Sequence, residues 1–201
     1  MLIIVQSIVE SLRVVLKTGF IVFSILLLSA AHANTNESSG ATRDAMDYFF
    51  HQSFNNLQEE AELAREEGKI GIFVMFNDPD CPWCKKMKAT IMNQVPVQDF
   101  YRKNFRILHV DTRGDTMMTN FDGTELAEKD FAFKVHRVRA TPVMMFFDLE
   151  GNKLMRLTGA TRSVDEFMWL GEFVINGDYK TTKFSRYKRE KLKEKKNSAN
   201  L

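Results

Sequence analysis

Residues 70–85 read Ile-Gly-Ile-Phe-Val-Met-Phe-Asn-Asp-Pro-Asp-Cys-Pro-Trp-Cys-Lys, and this stretch decides the fold. The nearly continuous apolar run over residues 70–76 has strand length and is typical of a strand covered on both faces. Residues 77–80 have turn chemistry, and Cys81 then opens a helix whose first turn tolerates Pro82. A Cys-x-x-Cys placed where a buried strand passes into a helix predicts a redox-active pair of sulfurs.

The helix start gives a physical reason for this reactivity. The thiolate is the nucleophile, and unsatisfied N–H groups and the positive dipole end at a helix N-terminus favour Cys81 in that form. Lys85 adds positive charge nearby, whereas Asp78 and Asp80 oppose the thiolate. We expect Cys81 to be the exposed attacking sulfur and Cys84, one helical turn further, to be the buried sulfur that resolves the mixed disulfide.

The composition excludes several classes of protein. The chain has 201 residues, of which 44% are hydrophobic and 27% charged, so it is neither disordered, collagen-like nor a multi-span membrane protein. The net charge of +2 comes from 28 basic and 26 acidic residues, and we expect no nucleic-acid partner. Two cysteines are too few for a disulfide scaffold or a four-cysteine zinc site.

The first 33 residues predict a secretory signal peptide. Basic residues precede an apolar run over residues 20–28, and Ala-His-Ala ends the segment at Ala33. The long N-terminal part carries Glu10, so an uncleaved signal anchor remains an alternative. The remainder of the chain is therefore predicted to be periplasmic, where disulfides persist.

Two further segments flank the predicted domain. Residues 34–41 are rich in Asn, Ser and Gly and predict a flexible linker. Residues 178–201 hold nine Lys or Arg and three Asp or Glu, a net charge of +6, whereas residues 34–177 carry −5. This basic tail is interpreted either as a solvated, frayed helix or as a segment that contacts an acidic lipid surface or an acidic partner.

Periodicity and turn residues predict an alternating order of elements between residues 42 and 177. The expected elements are helix 42–67, strand 70–76, helix 81–92, helix 97–104, strand 105–111, loop 112–124, helix 125–135, strand 143–148, strand 153–157 and helix 163–175. This order predicts one α/β domain with a central mixed β-sheet flanked by helices.

The residues at 76–85, the Thr141-Pro142 pair and the glycines Gly151 and Gly159 resemble thioredoxin-fold proteins. The resemblance covers roughly residues 49–175. Within that superfamily the chain is most similar to periplasmic thioredoxin-related proteins, including the SoxW-type thioredoxins of sulfur-oxidation systems.

The resemblance implies roles for further residues. It implies a cis peptide bond before Pro142, facing the cysteines, and a backbone at Thr141 that pairs with an extended substrate segment. Trp83, between the cysteines, is predicted to be an exposed docking surface. Thioredoxins proper carry a buried Asp six residues before the first Cys, where this chain has Met75. A water, Lys85 or another carboxylate would then accept the proton of the resolving thiol.

The function predicted from these features is a thiol–disulfide oxidoreductase that reduces protein disulfides. A membrane electron donor is expected to re-reduce it, and neither an organic cofactor nor a metal is implied. The Pro82-Trp83 dipeptide differs from the Gly-Pro of thioredoxins proper, and this dipeptide tunes the reduction potential. A disulfide oxidase or isomerase therefore remains an alternative.

Two readings from other classes also stay open. One is a copper- or zinc-binding protein that uses Cys81, Cys84 and Met side chains, and the other is a non-catalytic interaction module that uses the basic tail. The histidines after the leader are far apart and lack ligand spacing: His51, His109 and His136. His109 and Asp111 are predicted to be strand residues without a chemical role.

Overall fold

The computed structural model describes residues 40–199. The predicted signal peptide over residues 1–33 and most of the predicted linker over residues 34–41 lie outside the described residues. None of the helices between residues 40 and 199 combines the length and the hydropathy that a membrane span requires.

Helices and strands follow one another in short runs through this region. They are α1 (Ala45–Tyr48), α2 (Leu57–Glu66), β1 (Gly71–Asn77), α3 (Pro82–Thr90), α4 (Val95–Asn104), β2 (Phe105–Asp111), β3 (Met117–Thr119), β4 (Glu125–Ala127), α5 (Glu128–Asp130), a π-helix (Phe131–Val135), β5 (Val143–Phe147), β6 (Lys153–Thr158), α6 (Val164–Ile175), a 3-10 turn (Asp178–Lys180) and α7 (Phe184–Ser198).

The main sheet has four strands in the order β2-β1-β5-β6. β1 and β2 are parallel, with Met75 opposite His109. β5 is antiparallel to β1, with Val143 opposite Phe76, and β6 is antiparallel to β5. This arrangement confirms the predicted central mixed sheet, and it places β1, which leads to the cysteines, between two other strands.

Both faces of β1 are covered, which explains its continuous apolar run. All of its residues are buried. Successive side chains of a strand point to opposite faces, so Phe73 and Met75 join the core that contains the cysteines and residues of α3, α4 and α6. Ile72 and Val74 join the second core, together with residues of α2 and the π-helix.

The prediction of a single helix over residues 42–67 is wrong at its centre, where the chain is not helical between α1 and α2. The chain leaves the helix after Tyr48, and His51 pairs with the edge of β2, where its backbone N–H donates to the Ile107 carbonyl over 2.8 Å. Asn55 has a φ of 60°, and the Asn56 side chain then caps α2. The apolar spacing that predicted one helix belongs to two helices and an extended segment, each packed separately on the sheet.

The segment after β2 also differs from the prediction. The loop predicted over residues 112–124 contains β3, and the helix predicted over residues 125–135 starts as β4 and becomes helical only at Glu128. Met118 of β3 pairs with Leu126 of β4 and is buried in the second core. Tertiary packing of this small hairpin overrides the helical spacing of its apolar residues.

The described part of the predicted basic tail is helical and packs on α6. Phe184 is buried, and its ring centroid lies 5.5 Å from that of Phe173. Lys188 donates to Glu166 over 2.8 Å. α7 therefore adds apolar surface and ion pairs to the domain, while contact with an acidic surface stays a prediction.

Candidate active site

The turn between β1 and α3 presents the cysteines. The Cys81 N–H donates to the Asp78 carbonyl over 3.0 Å, and the Asp80 N–H donates to the Asp78 carboxylate over 2.8 Å. Cys81 is the N-cap of α3, and its sulfur accepts a hydrogen bond from the Cys84 N–H over 3.1 Å. Pro82 at the helix start has no N–H to leave unpaired.

The two sulfurs are bonded to each other. Cys81 and Cys84 form a disulfide with a Cα–Cα distance of 5.3 Å. Cys81 is 7% exposed and Cys84 is 1% exposed. A reagent from solvent therefore reaches Cys81 first, and the helix N-terminus that surrounds its sulfur favours a thiolate there once the disulfide is reduced.

The residues before β5 lie beside this turn. The Thr141–Pro142 peptide bond is cis. Because Val143 lies opposite Phe76 near the end of β1, Pro142 is held close to the segment that leads into Cys81. Pro142 is buried and Thr141 is half-buried.

A cavity of 320 Å³ runs along this side of the helix. Trp83, Ile91, Thr141, Pro142 and Arg162 are among its lining residues. Trp83 is 59% exposed, and its indole carries an apolar surface beside the disulfide. An exposed aromatic side chain next to a reactive sulfur and a shallow cavity can hold a polypeptide segment.

Lys85 lies away from this cavity. It is exposed and lines a different depression with Arg43 and Lys88. Its N–H donates to the Cys81 carbonyl over 3.2 Å as part of the helix. The structure therefore brings Trp83 together with Thr141 and Pro142, but it does not bring Lys85 to the same surface.

Arg113 belongs to the site although the sequence did not indicate it. One nitrogen of its guanidinium lies 2.6 Å from Asp78 Oδ1 and 2.5 Å from Asp80 Oδ2. The Arg113 hydrogen bond and charge lower the pKa of Asp80. The carboxylates that would oppose a thiolate at Cys81 are thus partly neutralised. The parallel pairing of β1 with β2 could have suggested this neighbour, because loops after parallel strands meet at one edge.

Among the described residues, the side chains that could bind a metal ion are not clustered. Between residues 40 and 199 no group of three or more His, Cys, Asp or Glu side chains is placed to hold a metal ion. Met75 is fully buried beneath the site and carries no proton-accepting group.

The mixed sheet, the Cys81–Cys84 disulfide and the neighbouring cis Pro142 are together typical of a thioredoxin-fold protein. The sequence model of the Thioredoxin-like domain family matches residues 57–175, more than half of the chain, so the chain belongs to this family. The family and the bonded Cys81–Cys84 pair define a thiol–disulfide oxidoreductase. The SoxW-type subgroup stays a prediction.

Solved structures with a similar fold have low sequence identity. A thioredoxin-fold protein from Helicobacter pylori is 20% identical, with 63% of this chain and 82% of that chain covered and a TM-score of 0.49. The reduced DsbD C-terminal domain from Neisseria meningitidis is 19% identical, with 56% of this chain and 88% of that chain covered and a TM-score of 0.43. The DsbH oxidoreductase is 18% identical, with 71% and 89% covered and a TM-score of 0.47. No curated protein matches the chain.

Proposed function

We propose that the protein is a periplasmic reductase of protein disulfides. The observation that carries the proposal is the position of the Cys81–Cys84 disulfide at the N-terminus of α3, with Cys81 the more exposed sulfur and Trp83, Thr141 and Pro142 lining the adjacent cavity. A strand-to-helix turn, a disulfide between two cysteines one helical turn apart and an open surface suit dithiol exchange with a polypeptide.

The reaction is a pair of thiol–disulfide exchanges. In the reduced protein, the Cys81 thiolate attacks one sulfur of a substrate disulfide, and the other substrate sulfur leaves and takes up a proton. The Cys84 thiol then loses its proton and attacks Cys81 Sγ, which breaks the mixed disulfide and releases the second substrate thiol. Two electrons have passed to the substrate, and the Cys81–Cys84 disulfide of this structure is formed.

The backbone at Thr141 is suited to hold the substrate during these steps. Neither its N–H nor its carbonyl makes a hydrogen bond to the residues described here, since the sheet pairing of β5 begins at Val143. An extended segment could pair with these groups by β-augmentation. Its flanking side chains would lie against Trp83 in the 320 Å³ cavity.

The proposed location and electron source rest on the predicted signal peptide. The signal-peptide pattern over residues 1–33 supports export to the periplasm. A reductase there must receive two electrons and two protons for each turnover, and a membrane electron donor that presents a dithiol would supply them.

The trapping experiment tests the two cysteine roles. In Cys84→Ser the mixed disulfide cannot be resolved, so incubation of the reduced variant with a disulfide-bonded protein such as insulin should accumulate a covalent adduct at Cys81. Cys81→Ser is the matched control and should form no adduct by that route. Absence of an adduct in Cys84→Ser, or equal adduct in both variants, would refute the assignment.

The reduction potential tests the direction of electron flow. A value near about −270 mV, determined by equilibration with a glutathione or dithiothreitol buffer, would support a reductase, and a value near about −120 mV would make the protein an oxidant. Metal analysis of the reduced protein in the same series separates redox activity from the copper- or zinc-binding alternative.

A further inference from the structure

Resolution of the mixed disulfide raises the question of which group accepts the proton of the Cys84 thiol. Cys84 must lose its proton before it can attack Cys81, because the thiolate is the nucleophile. In the disulfide form Cys84 is only 1% exposed, a position that restricts direct passage of a proton from its thiol to bulk water. A side chain on the inner side of α3 is the candidate to accept it.

The sheet face below α3 carries two titratable side chains among the described strands, His109 and, at the last position of β2, Asp111, whose carboxylate already accepts a hydrogen bond from the Arg113 backbone N–H. β1 contributes Phe73 and Met75 to this face and β5 contributes Met144 and Phe146, none of which accepts a proton. Side chains of β2 alternate in the same way, so His109 follows the inward-facing residues at positions 105 and 107 on this face. His109 lies directly opposite Met75 in the parallel pairing.

The two nitrogens of His109 have different surroundings. Nδ1 is buried and has no hydrogen-bond partner in the structure. A buried polar atom without a partner costs free energy, and its lone pair is free to accept a proton. The ring packs edge-on against Phe50 at 5.3 Å between centroids and lines a cavity of 170 Å³ with Met46, Ser53 and Asn55. One nitrogen thus faces the interior, while the ring also borders a cavity on the side of α1.

Burial of the ring and the charge of Lys88 favour its neutral form. Burial lowers the pKa of His109 most, Lys88 lowers it further, and Asp111 raises it. Lys88 lies one helical turn after Cys84 on α3. Because the charge of Lys88 acts on the His109 ring, the ring lies near the helix that carries the resolving sulfur. Asp47 from α1 and His51 from the following loop line the same cavity. A neutral imidazole can accept a proton at an unpartnered nitrogen.

We propose that His109 is the proton acceptor for the resolving thiol. The proton leaves Cys84 Sγ as the thiolate forms and attacks Cys81 Sγ, and it is bound at His109 Nδ1. The imidazolium then releases a proton from its other nitrogen to water in the 170 Å³ cavity, and proton exchange through that water returns the neutral ring to the tautomer with a free Nδ1. This inference rests on the proposed dithiol mechanism and assigns a role to a residue that the sequence placed in a strand without chemistry.

The test measures the resolving step separately from the attacking step. A mixed disulfide is formed on Cys81 in a single turnover, and its decay is followed by rapid acid quench and mass spectrometry. In His109→Asn the attacking step should keep its wild-type rate, while the decay at neutral pH should slow at least tenfold, since a general base contributes about 10²–10⁴-fold to such a step. The decay should recover at alkaline pH, where hydroxide removes the proton.

His136 provides a matched control. It is another half-buried histidine with an unpartnered buried nitrogen, but its ring packs against Phe76 and Phe131 of the second core. His136→Asn should leave the decay rate within twofold of wild type. An equal loss in both variants, or a loss of the attacking rate that matches the loss of the resolving rate, would overturn the assignment.

The experiment separates this inference from the function on which it rests. If no mixed disulfide forms on Cys81 at all, the dithiol mechanism fails; if it forms and His109→Asn resolves it at the wild-type rate, only the role of His109 fails. His109→Gln replaces the Asn variant if the latter does not fold. Should neither fold, the wild-type decay rate decides: a general base at His109 predicts a level rate while the ring is neutral and a fall once it is protonated in acid, and a continuous tenfold fall per pH unit from alkaline pH downward would refute the role.

Discussion

Acid should weaken this protein through His51, and the structure gives the reason. The His51 ring nitrogen Nδ1 accepts a hydrogen bond from the Ile107 N–H over 3.0 Å, while the backbone N–H of His51 donates to the Ile107 carbonyl. A protonated imidazole could no longer accept that bond. Burial, and then the charges of Arg102, Arg106 and Lys69, lower the pKa of His51 from 6.5 to about 3.

The sign and size of the effect follow from linkage. The unfolded chain takes up a proton near the ordinary pKa of 6.5, whereas the folded chain resists protonation down to about 3. The contribution of the neutral ring is therefore fully present above pH 6.5 and is lost as the pH falls from there toward 3. Between about pH 7.5 and about pH 5 the shift corresponds to about 2 kcal/mol, and to about 1 kcal/mol once solvent screening of a half-exposed group is discounted.

Urea denaturation of the oxidised protein at a series of pH values measures this loss. In His51→Asn the amide oxygen can still accept from Ile107 but does not titrate, so the free energy of unfolding should fall by about 1 kcal/mol less than in wild type over that pH range. Gln52→Ala, an exposed neighbour, should keep the wild-type pH dependence. Identical pH profiles for wild type and His51→Asn would refute the reasoning.

Two substitutions test the packing that holds the site in place. Gly71→Ala would put a Cβ 2.2 Å from the Phe147 carbonyl oxygen, so it should cost about 2 kcal/mol or more in urea, and a loss under about 0.5 kcal/mol would contradict the close strand approach. Glu60→Gln weakens the buried contact of Glu60 Oε2 with Arg106 Nε at 2.5 Å and should cost about 2 kcal/mol, whereas Glu62→Gln in an exposed pair should change stability by less than about 1 kcal/mol. Equal effects of the two glutamate variants would show that burial of the Arg106 pair is unimportant.

Local patterns in the sequence were enough to predict the core of the fold and the reactive pair. A continuous apolar run of strand length predicts a strand that is covered on both faces. Every residue of β1 is buried, as this predicts. The adjacent turn and Pro82 specify a helix start, so the placement of Cys81 as its N-cap follows from neighbouring residues alone. The spacing of two residues between the cysteines already allows their sulfurs to meet.

The same reasoning failed where short segments are shaped by what they pack against. Helical spacing over residues 42–67 and 125–135 was a local signal, but His51 found a partner on the edge of β2 and Leu126 found one in β3. Periodicity within one segment reveals neither contact, because Ile107 lies 56 positions from His51 and Met118 lies on a separate strand, and these pairings outweigh a weak helix preference.

The sequence by itself determined a buried strand, a helix that begins at Cys81 and a reactive disulfide at their junction. Only the tertiary structure decided what surrounds that junction. Arg113 reaches Asp78 from 35 positions away, and His109 lies beside Met75, because parallel strands bring residues from distant parts of the chain into register. Charge compensation and proton transfer act through space over a few ångströms, so the residues that perform them are set by strand pairing rather than by their spacing along the chain.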